Sequence, residues 1–273
     1  MRPAKFAALP AILLAALPLA VQADVDGPPV RLILVGDSTL APRNGYGDAL
    51  CARFTAAVQC INLAKNGRSS GSYRAEGSWA AVTALLADRQ AAVFTYVLVE
   101  FGHNDQPGKP GRSTDLQGEF PVNLAGYVSD IRAAGALPLL ATPLSRRSFK
   151  GGLLIDDLAP WAASTRAVAA ERQVPLIELH QASTAAVQAM GSVEADTLAV
   201  EPPPASSPPS AMTASAAAAS GDRASTETTS PARSAFDHTH VGAKGAALFA
   251  RMVEGLLRER LPALRPYLKS ESE

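Results

Sequence analysis

The segment Arg31-Leu32-Ile33-Leu34-Val35-Gly36-Asp37-Ser38-Thr39 joins a continuous apolar run to a short polar turn. An apolar run without polar alternation is typical of a strand that is covered on both faces of its sheet. Gly36 and Asp37 suit a backbone that bends sharply where such a strand ends. We therefore predict a buried strand that stops just before Ser38 and leaves its hydroxyl at the carboxyl edge of a sheet.

Apolar runs of the same kind recur along the chain and alternate with helical patterns. The runs cover residues 30–35, 58–63, 93–101, 137–142 and 174–179. Apolar residues follow helical spacing over 124–131, 158–165 and 249–257. This alternation predicts an α/β protein with a three-layer α/β/α doubly wound fold and a five-stranded, mainly parallel sheet. Ligands of such folds bind beyond the carboxyl ends of the strands, where Ser38 is predicted to lie.

The composition is that of a globular protein and argues against a nucleic-acid partner. The chain has 273 residues, of which 47% are hydrophobic and 18% charged. Its 25 basic and 25 acidic residues cancel, and no Lys/Arg-rich run or aromatic-interleaved basic stripe occurs. We therefore expect no nucleic acid among its partners.

The amino terminus has the pattern of a secretory signal peptide. Two basic residues come before an apolar stretch over 6–21, and Val21-Gln22-Ala23 fits a small-x-Ala cleavage site. An uncleaved membrane anchor is the alternative, but Pro10 and Pro18 interrupt a stretch that is already short for a bilayer span. We predict that residues 1–23 are removed, so that the protein is exported to the periplasm or secreted, without stable membrane association.

Two cysteines, Cys51 and Cys60, occur in the chain. In an oxidising compartment such a pair is more often bridged than free, although both could also be small buried hydrophobic residues. Two cysteines without suitably spaced histidines do not form a zinc site, and we predict no metal or other cofactor.

From about residue 199 to 234 the composition shifts to Pro, Ala, Ser and Thr. Such a segment cannot pack a core, and only one helical pattern follows it. We interpret it as a disordered insertion in a single domain over 24–273. A lid or a surface tether is the alternative.

The segment Asp237-His238-Thr239-His240 supplies an imidazole and a carboxylate three residues apart. A serine hydroxyl is a weak nucleophile until an imidazole takes its proton, and a carboxylate fixes the tautomer of that imidazole. Ser38, His240 and Asp237 are therefore candidates for a catalytic triad. Ser38 could instead simply cap a following helix.

Two further segments follow the second and third predicted strands and reach the same edge as Ser38. They are Asn66-Gly67-Arg68-Ser69-Ser70 and Phe101-Gly102-His103-Asn104-Asp105. Acyl transfer needs hydrogen-bond donors aimed at the developing oxyanion. The backbone N–H groups of Ser38 and Gly67 and the side-chain amide of Asn104 are candidates for that oxyanion hole.

Taken in chain order, four segments resemble the four blocks of the SGNH (GDSL) hydrolase superfamily. They are Gly36-Asp37-Ser38, Gly67, Gly102-His103-Asn104-Asp105 and Asp237-x-x-His240. The full segments around these blocks, together with Tyr73 and Glu76-Gly77, resemble the rhamnogalacturonan acetylesterase family within this superfamily. The full segments are Gly36-Asp37-Ser38-Thr39, Asn66-Gly67-Arg68-Ser69-Ser70, Phe101-Gly102-His103-Asn104-Asp105 and Asp237-His238-Thr239-His240. The resemblance covers the mature chain except the Pro/Ala/Ser-rich segment, and it implies a flavodoxin-like fold.

The resemblance also implies a metal-independent carbohydrate acetylesterase. Ser38 would attack the acetyl carbonyl, His240 would act as base and then acid, and Asp237 would orient His240. The substrate would be an acetylated polysaccharide or oligosaccharide, above all acetylated rhamnogalacturonan of pectin. Arg68, Tyr73 and Glu76 are candidates for sugar or uronate contacts, or are ordinary solvated residues.

Two other functions remain open. The same blocks occur in broad-specificity esterases and lipases, and a secreted carbohydrate-binding protein could keep the fold without activity. A competing nucleophile, Ser69 in Gly67-Arg68-Ser69-Ser70-Gly71, matches the elbow of α/β-hydrolases. We reject it because that fold places its serine after several strands and its acid on a separate strand exit.

The remaining polar groups have simpler interpretations. We predict structural roles for His103 and His180 and a loop position for His238. The basic loop over 144–152 lies on the same rim as Ser38, where it either contacts an anionic substrate or is solvated.

Overall fold

A computed structural model of the chain describes residues 29–88, 92–201 and 236–270. The predicted signal peptide and most of the predicted insertion lie outside these residues. Within the described ranges, no helix is both long enough and apolar enough to cross a membrane.

The central sheet consists of five parallel strands. They are β1 (Val30–Gly36), β2 (Val58–Asn62), β3 (Phe94–Glu100), β4 (Leu137–Ala141) and β7 (Leu176–Ile177), while β5 (Phe149–Lys150) and β6 (Leu153–Leu154) form a separate hairpin. The strand order is β2-β1-β3-β4-β7. In this order the chain reverses direction across the sheet between β1 and β3, which is where a doubly wound fold opens a binding crevice.

Helices cover both faces of the sheet. They are α1 (Gly47–Cys51), α2 (Ser72–Ala75), α3 (Ser78–Ala87), α4 (Glu119–Ala133), α5 (Ala159–Glu171), α6 (Leu179–Asp196) and α7 (Ala243–Arg260), followed by a 3-10 helix over Pro262–Tyr267. Alternate residues of β1 enter different cores. Leu32 and Leu34 pack with residues of α6 and α7, whereas Ile33 and Val35 pack with residues of α3, α4 and α5. This two-sided burial explains the unbroken apolar run.

The predicted α/β class and five-stranded parallel sheet are confirmed. The last strand is shorter than its predicted range of 174–179, because Leu179 already begins α6. Neither this helix nor the small β5–β6 hairpin was predicted. Gly191 adopts a φ of 71° and kinks α6 near its carboxyl end.

Cys51 and Cys60 are joined by a disulfide bond between the end of α1 and the middle of β2. Ala199, predicted to begin the disordered segment, is buried and forms a β-bridge with Val241. It is therefore part of the packed domain, and residues 202–234 of the predicted insertion lie outside the described residues.

Gly36 marks a close approach between the exits of β1 and β3. A Cβ atom at this position would lie 2.5 Å from the carbonyl oxygen of Glu100. Any larger residue would push the two strand ends apart. The glycine thus lets the Ser38 turn sit directly beside the end of β3.

Candidate active site

Ser38 lies in a turn two residues beyond the end of β1 and is 5% exposed. Asp37 holds this turn, because its Oδ1 accepts hydrogen bonds from the backbone N–H and the hydroxyl of Thr39, both at 2.9 Å. The next helix, α1, has Tyr46 as its N-cap residue. The alternative that Ser38 merely caps a helix is therefore wrong.

A buried carboxyl group, Glu100, lies beneath this turn at the end of β3. It accepts hydrogen bonds from the Tyr46 hydroxyl, from the Thr39 hydroxyl at 3.1 Å and from the Leu144 backbone N–H at 3.1 Å. Burial, reinforced by the charge of Asp37, raises the pKa of Glu100 to about 8, although its three donors oppose the shift. Glu100 thus links the turn after β1 to the loop after β4.

Asp237 and His240 are paired as the sequence predicts. The imidazole Nδ1 of His240 lies 2.8 Å from Oδ2 of Asp237. The other oxygen, Oδ1, accepts the backbone N–H groups of Thr239 at 2.8 Å and His240 at 3.0 Å. Burial raises the pKa of Asp237, but these N–H groups and the imidazole outweigh it, so the net pKa is below the usual value.

The side chain of Arg147 holds the same loop through its backbone. This guanidinium is fully buried and donates to the carbonyl oxygens of Asp237 at 2.9 Å, His240 at 2.8 Å and Thr239 at 3.4 Å. The Arg147 backbone N–H donates to the His238 carbonyl at 2.9 Å. Every residue from 237 to 240 therefore accepts a hydrogen bond from Arg147. The sequence predicts that the basic loop over 144–152 either contacts an anionic substrate or is solvated. Both predictions are wrong for Arg147, which is buried and binds the loop over 237–240.

The predicted triad and oxyanion groups line one cavity of about 600 Å³. Its wall includes Ser38, Asp237, His240, Gly67 and Asn104. Gly67 adopts a φ of +74°, which favours glycine, and the side-chain amide of Asn104 donates to the Arg68 carbonyl at 3.0 Å. Asn104 is thus oriented against the loop that carries Gly67, and one N–H of its amide remains for another acceptor.

The three candidate substrate contacts have different surroundings. Tyr73 is fully buried, packs against Phe101 and donates its hydroxyl to the Leu63 carbonyl at 2.8 Å. The prediction for Tyr73 is wrong, because a core residue cannot reach a substrate. Arg68 and Glu76 form an ion pair at 2.6 Å and do not line the cavity around Ser38. A sugar contact of either side chain stays a prediction.

Ser69 is buried, and its hydroxyl accepts the Ser72 backbone N–H at 3.1 Å. It does not line the cavity around Ser38, in agreement with our rejection of Ser69 as the nucleophile.

The other histidines each face a carboxylate. His180 pairs with Asp156 at 2.8 Å and His238 with Asp196 at 3.2 Å. His103 is buried with Nδ1 3.5 Å from Oδ2 of Asp37. Burial lowers the pKa of His103 despite that carboxylate. The structural role predicted for His103 fits this position behind the Ser38 turn, although its ring also borders the cavity.

Sequence reasoning missed Glu100 and the role of Arg147. A signal existed for Glu100, because a carboxylate at the end of an otherwise apolar run is unusual in a buried strand. For Arg147 the sequence offers no such signal. Its neighbour Arg146 is the same residue type but pairs with Asp157, so residue type alone does not distinguish their roles.

The model of the GDSL-like lipase/acylhydrolase family matches residues 33–199, more than half of the chain. The chain belongs to this family. The chain is therefore a carboxylic ester hydrolase, and the predicted superfamily is confirmed. The matched region contains Ser38, Gly67 and Asn104 and ends before Asp237.

Two curated relatives from Bacillus subtilis (strain 168) resemble this GDSL-like hydrolase. The probable rhamnogalacturonan acetylesterase YesY is 31% identical over 57% of this chain and 72% of its own length. The rhamnogalacturonan acetylesterase RhgT is 32% identical over 63% of this chain and 74% of its own. The predicted resemblance to rhamnogalacturonan acetylesterases is thus confirmed.

Solved structures support the fold of the GDSL-like hydrolase. A Bacillus subtilis protein superposes with a TM-score of 0.60 at 20% identity, covering 85% of this chain and 57% of its own. An acetyl xylan esterase from Geobacillus stearothermophilus has a TM-score of 0.53 at 16% identity, covering 86% and 96%. At such low sequence identities, the structural similarity is evidence for the fold alone.

Proposed function

We propose that the protein is an exported serine esterase that removes acetyl groups from a polysaccharide, above all from acetylated rhamnogalacturonan. The observation that carries the proposal is the convergence of Ser38, the Asp237–His240 pair, Gly67 and Asn104 on one cavity. The relatives named as rhamnogalacturonan acetylesterases support the substrate. The amino-terminal pattern supports export.

In the proposed mechanism Ser38 is the nucleophile. His240 takes the proton of the Ser38 hydroxyl as its Oγ attacks the acetyl carbonyl, and the ionised Asp237 stabilises the imidazolium that forms. The tetrahedral intermediate collapses as His240 returns the proton to the departing sugar oxygen. Acetyl-Ser38 is then hydrolysed by a water molecule that His240 deprotonates, which releases acetate and restores the Ser38 hydroxyl.

The oxyanion would be held by the backbone N–H groups of Ser38 and Gly67 and by the side-chain amide of Asn104. Donors of this kind act in a site where they need little reorganisation, and each is typically worth about a hundredfold or more in rate. The geometry supports this role, because the Asp37 side chain holds the buried Ser38 turn and the Asn104 amide is anchored on the Arg68 carbonyl.

The first test compares the native chain with Ser38→Ala on four substrates. These are acetylated rhamnogalacturonan, acetylated xylan, p-nitrophenyl acetate and a longer-chain p-nitrophenyl ester. We expect preferential acetate release from rhamnogalacturonan, and a loss of at least about a thousandfold in kcat in the variant. Thermal unfolding of both proteins serves as the control for folding.

Other outcomes separate the alternatives. Hydrolysis of the small esters alone would favour a broad-specificity esterase or lipase over a polysaccharide deacetylase. Equal activity in Ser38→Ala would contradict the mechanism. Polymer binding without hydrolysis of any ester would contradict the esterase proposal and favour a carbohydrate-binding protein.

A further inference from the structure

The cavity around Ser38 has a strongly basic wall that the proposed mechanism does not use. Lys109, Arg112 and Arg146 all line it. The lining contains one carboxylate, Asp237, which already accepts hydrogen bonds from His240. The cavity therefore presents more positive than negative charge to a ligand.

Two of these cations have no carboxylate partner among the ion pairs of the described residues. The third cation, Arg146, has Asp157 as its ion-pair partner. The ammonium of Lys109 donates to the carbonyl oxygen of His103, and Nη1 of Arg112 lies 3.5 Å from the carbonyl oxygen of Gly67. Backbone carbonyls orient the two side chains but carry no formal negative charge.

The loop between β3 and α4 that carries both cations is internally braced. The Thr114 backbone N–H and hydroxyl donate to the carbonyl and carboxylate of Asp105, each at 2.9 Å. The Lys109 backbone N–H donates to the Ser113 hydroxyl at 2.9 Å, and the Arg112 N–H donates to the Lys109 carbonyl at 3.0 Å. Because the loop is already held in place, it loses little conformational entropy when an anion binds, and this favours a higher affinity for the anion.

The electrostatics of the cluster favour an anionic ligand. Burial lowers the pKa of Lys109, and the nearby charges of Arg146 and Arg112 lower it further, while Asp37 and Asp157 oppose them. Like charges in a half-buried wall repel each other, and a bound anion would relieve this repulsion.

We infer that Lys109 and Arg112 form a carboxylate-binding subsite whose ligand is the carboxylate of a uronic acid unit of the polymer. Their carbonyl contacts place them beside Gly67 and Asn104, the proposed oxyanion donors. A carboxylate held here fixes the position of a polymer chain, whereas the small neutral acetyl group cannot. Arginine and lysine together suit a carboxylate through charge-assisted hydrogen bonds. The inference rests on the proposed function, because it assigns the ligand that positions the ester.

The test measures acetate release from acetylated rhamnogalacturonan and from the same polymer with its uronate carboxyl groups converted to methyl esters. We expect the native enzyme to show at least about tenfold higher kcat/KM on the charged polymer. In Lys109→Met and Arg112→Met this ratio should approach one. Arg112→Lys should keep part of the preference, because it keeps the charge but loses the planar fork.

The matched control is Lys65→Met, which removes an exposed cation outside the cavity. We expect this variant to keep the native ratio. Equal kcat/KM of the native enzyme on the two polymers would overturn the subsite. So would a native-like ratio in both Lys109→Met and Arg112→Met, once thermal unfolding shows that they are folded.

A second measurement separates this inference from the proposed substrate. Galacturonic acid and galactose are compared as inhibitors of p-nitrophenyl acetate hydrolysis. We expect stronger inhibition of the native enzyme by the acid, weakened by added salt and by Lys109→Met. That result supports the subsite even if the polymer is not deacetylated, whereas equal inhibition by the two sugars overturns it.

Discussion

At the scale of single residues, Glu100 is a buried titratable group close to the Ser38 turn. Its carboxyl group is fully buried and binds the hydroxyl of Thr39, the residue after Ser38. The folded protein keeps a proton on Glu100 up to about pH 8, whereas an exposed glutamate loses it near pH 4.5. Folding and proton uptake are therefore linked at this residue.

We predict that Glu100 makes the free energy of unfolding fall as the pH rises from about 5 to 8, and that Glu100→Gln removes this contribution. Between these values the folded state holds a proton that the unfolded state has released, so the native protein loses stability as the pH approaches 8. The amide keeps an oxygen acceptor and does not ionise. Denaturant unfolding at several pH values measures the slope.

The control for this prediction is Glu259→Gln, since Glu259 is an exposed carboxylate on α7. We expect it to keep the native slope. A Glu100→Gln protein with the same pH dependence as the native chain would contradict the linkage.

The residues of the proposed triad could be selected from the sequence because their types and spacing are those that the proposed reaction requires. Ser38, Asp237 and His240 had to supply a nucleophile, a carboxylate and an imidazole, and the cavity brings them together. Tyr73 was not assigned correctly, because an aromatic residue beside a functional loop can face either the solvent or the core. That choice depends on the packing of Phe101 against it, which lies in a distant segment.

At the scale of elements, the loop over 237–240 depends on Arg147, which lies about ninety residues earlier in the chain. Hydrogen bonds that involve a charged donor contribute about 1.5–3 kcal/mol each, and Arg147 directs its guanidinium at three carbonyls of this loop. Burial lowers the pKa of Arg147, while the charges of Asp237 and Asp196 oppose the shift. Arg147 is thus a positioning residue for His240.

We predict that Arg147→Met lowers kcat for p-nitrophenyl acetate by at least about tenfold with little change in KM. The reason is that Arg147 does not line the cavity but determines where His240 lies. Arg147→Lys should lose less activity, because one ammonium can still reach part of the loop. Active sites are counted by titration, so that kcat refers to folded protein.

Arg166→Met is the matched control, since Arg166 forms an ion pair with Glu178 away from the cavity. Its kcat should equal that of the native chain. The positioning role is disproved if Arg147→Met keeps the native kcat per active site and loses only thermal stability.

The regular elements differ in how far the sequence predicts them. Long strands such as β1 and β3 are buried on both faces, so their apolar runs identify them directly. The β5–β6 hairpin has two residues in each strand, too few to produce a pattern. The path of the loop over 144–152 was equally hidden, because it is set by contacts with residues 237–240.

At the scale of the whole molecule, the described residues on either side of the segment 202–235 lie close together on the folded domain. Val200, Glu201, Phe236 and Asp237 line one cavity of about 580 Å³. The β-bridge between Ala199 and Val241 lies just beyond them. A short connection can therefore join Glu201 to Phe236.

We predict that deletion of residues 205–233 leaves folding and p-nitrophenyl acetate hydrolysis within about twofold of the native values. Loop-closure entropy changes by only about 0.6 kcal/mol for each doubling of loop length. Thermal unfolding and steady-state kinetics test this. As a control, a Gly/Ser segment of equal length replaces the same residues. A large loss of activity on the polymer alone, in both variants, would contradict an inert segment and show that it helps to bind substrate.

The contacts of Arg147 also have a consequence for changing the enzyme by design. They are made to main-chain carbonyl oxygens, which every amino acid carries, and do not depend on the side chains of His238 or Thr239. Both of these side chains line the cavity. We therefore expect that substitutions at positions 238 and 239 can change the selectivity of the proposed sugar site, while the same guanidinium continues to hold the loop backbone in place.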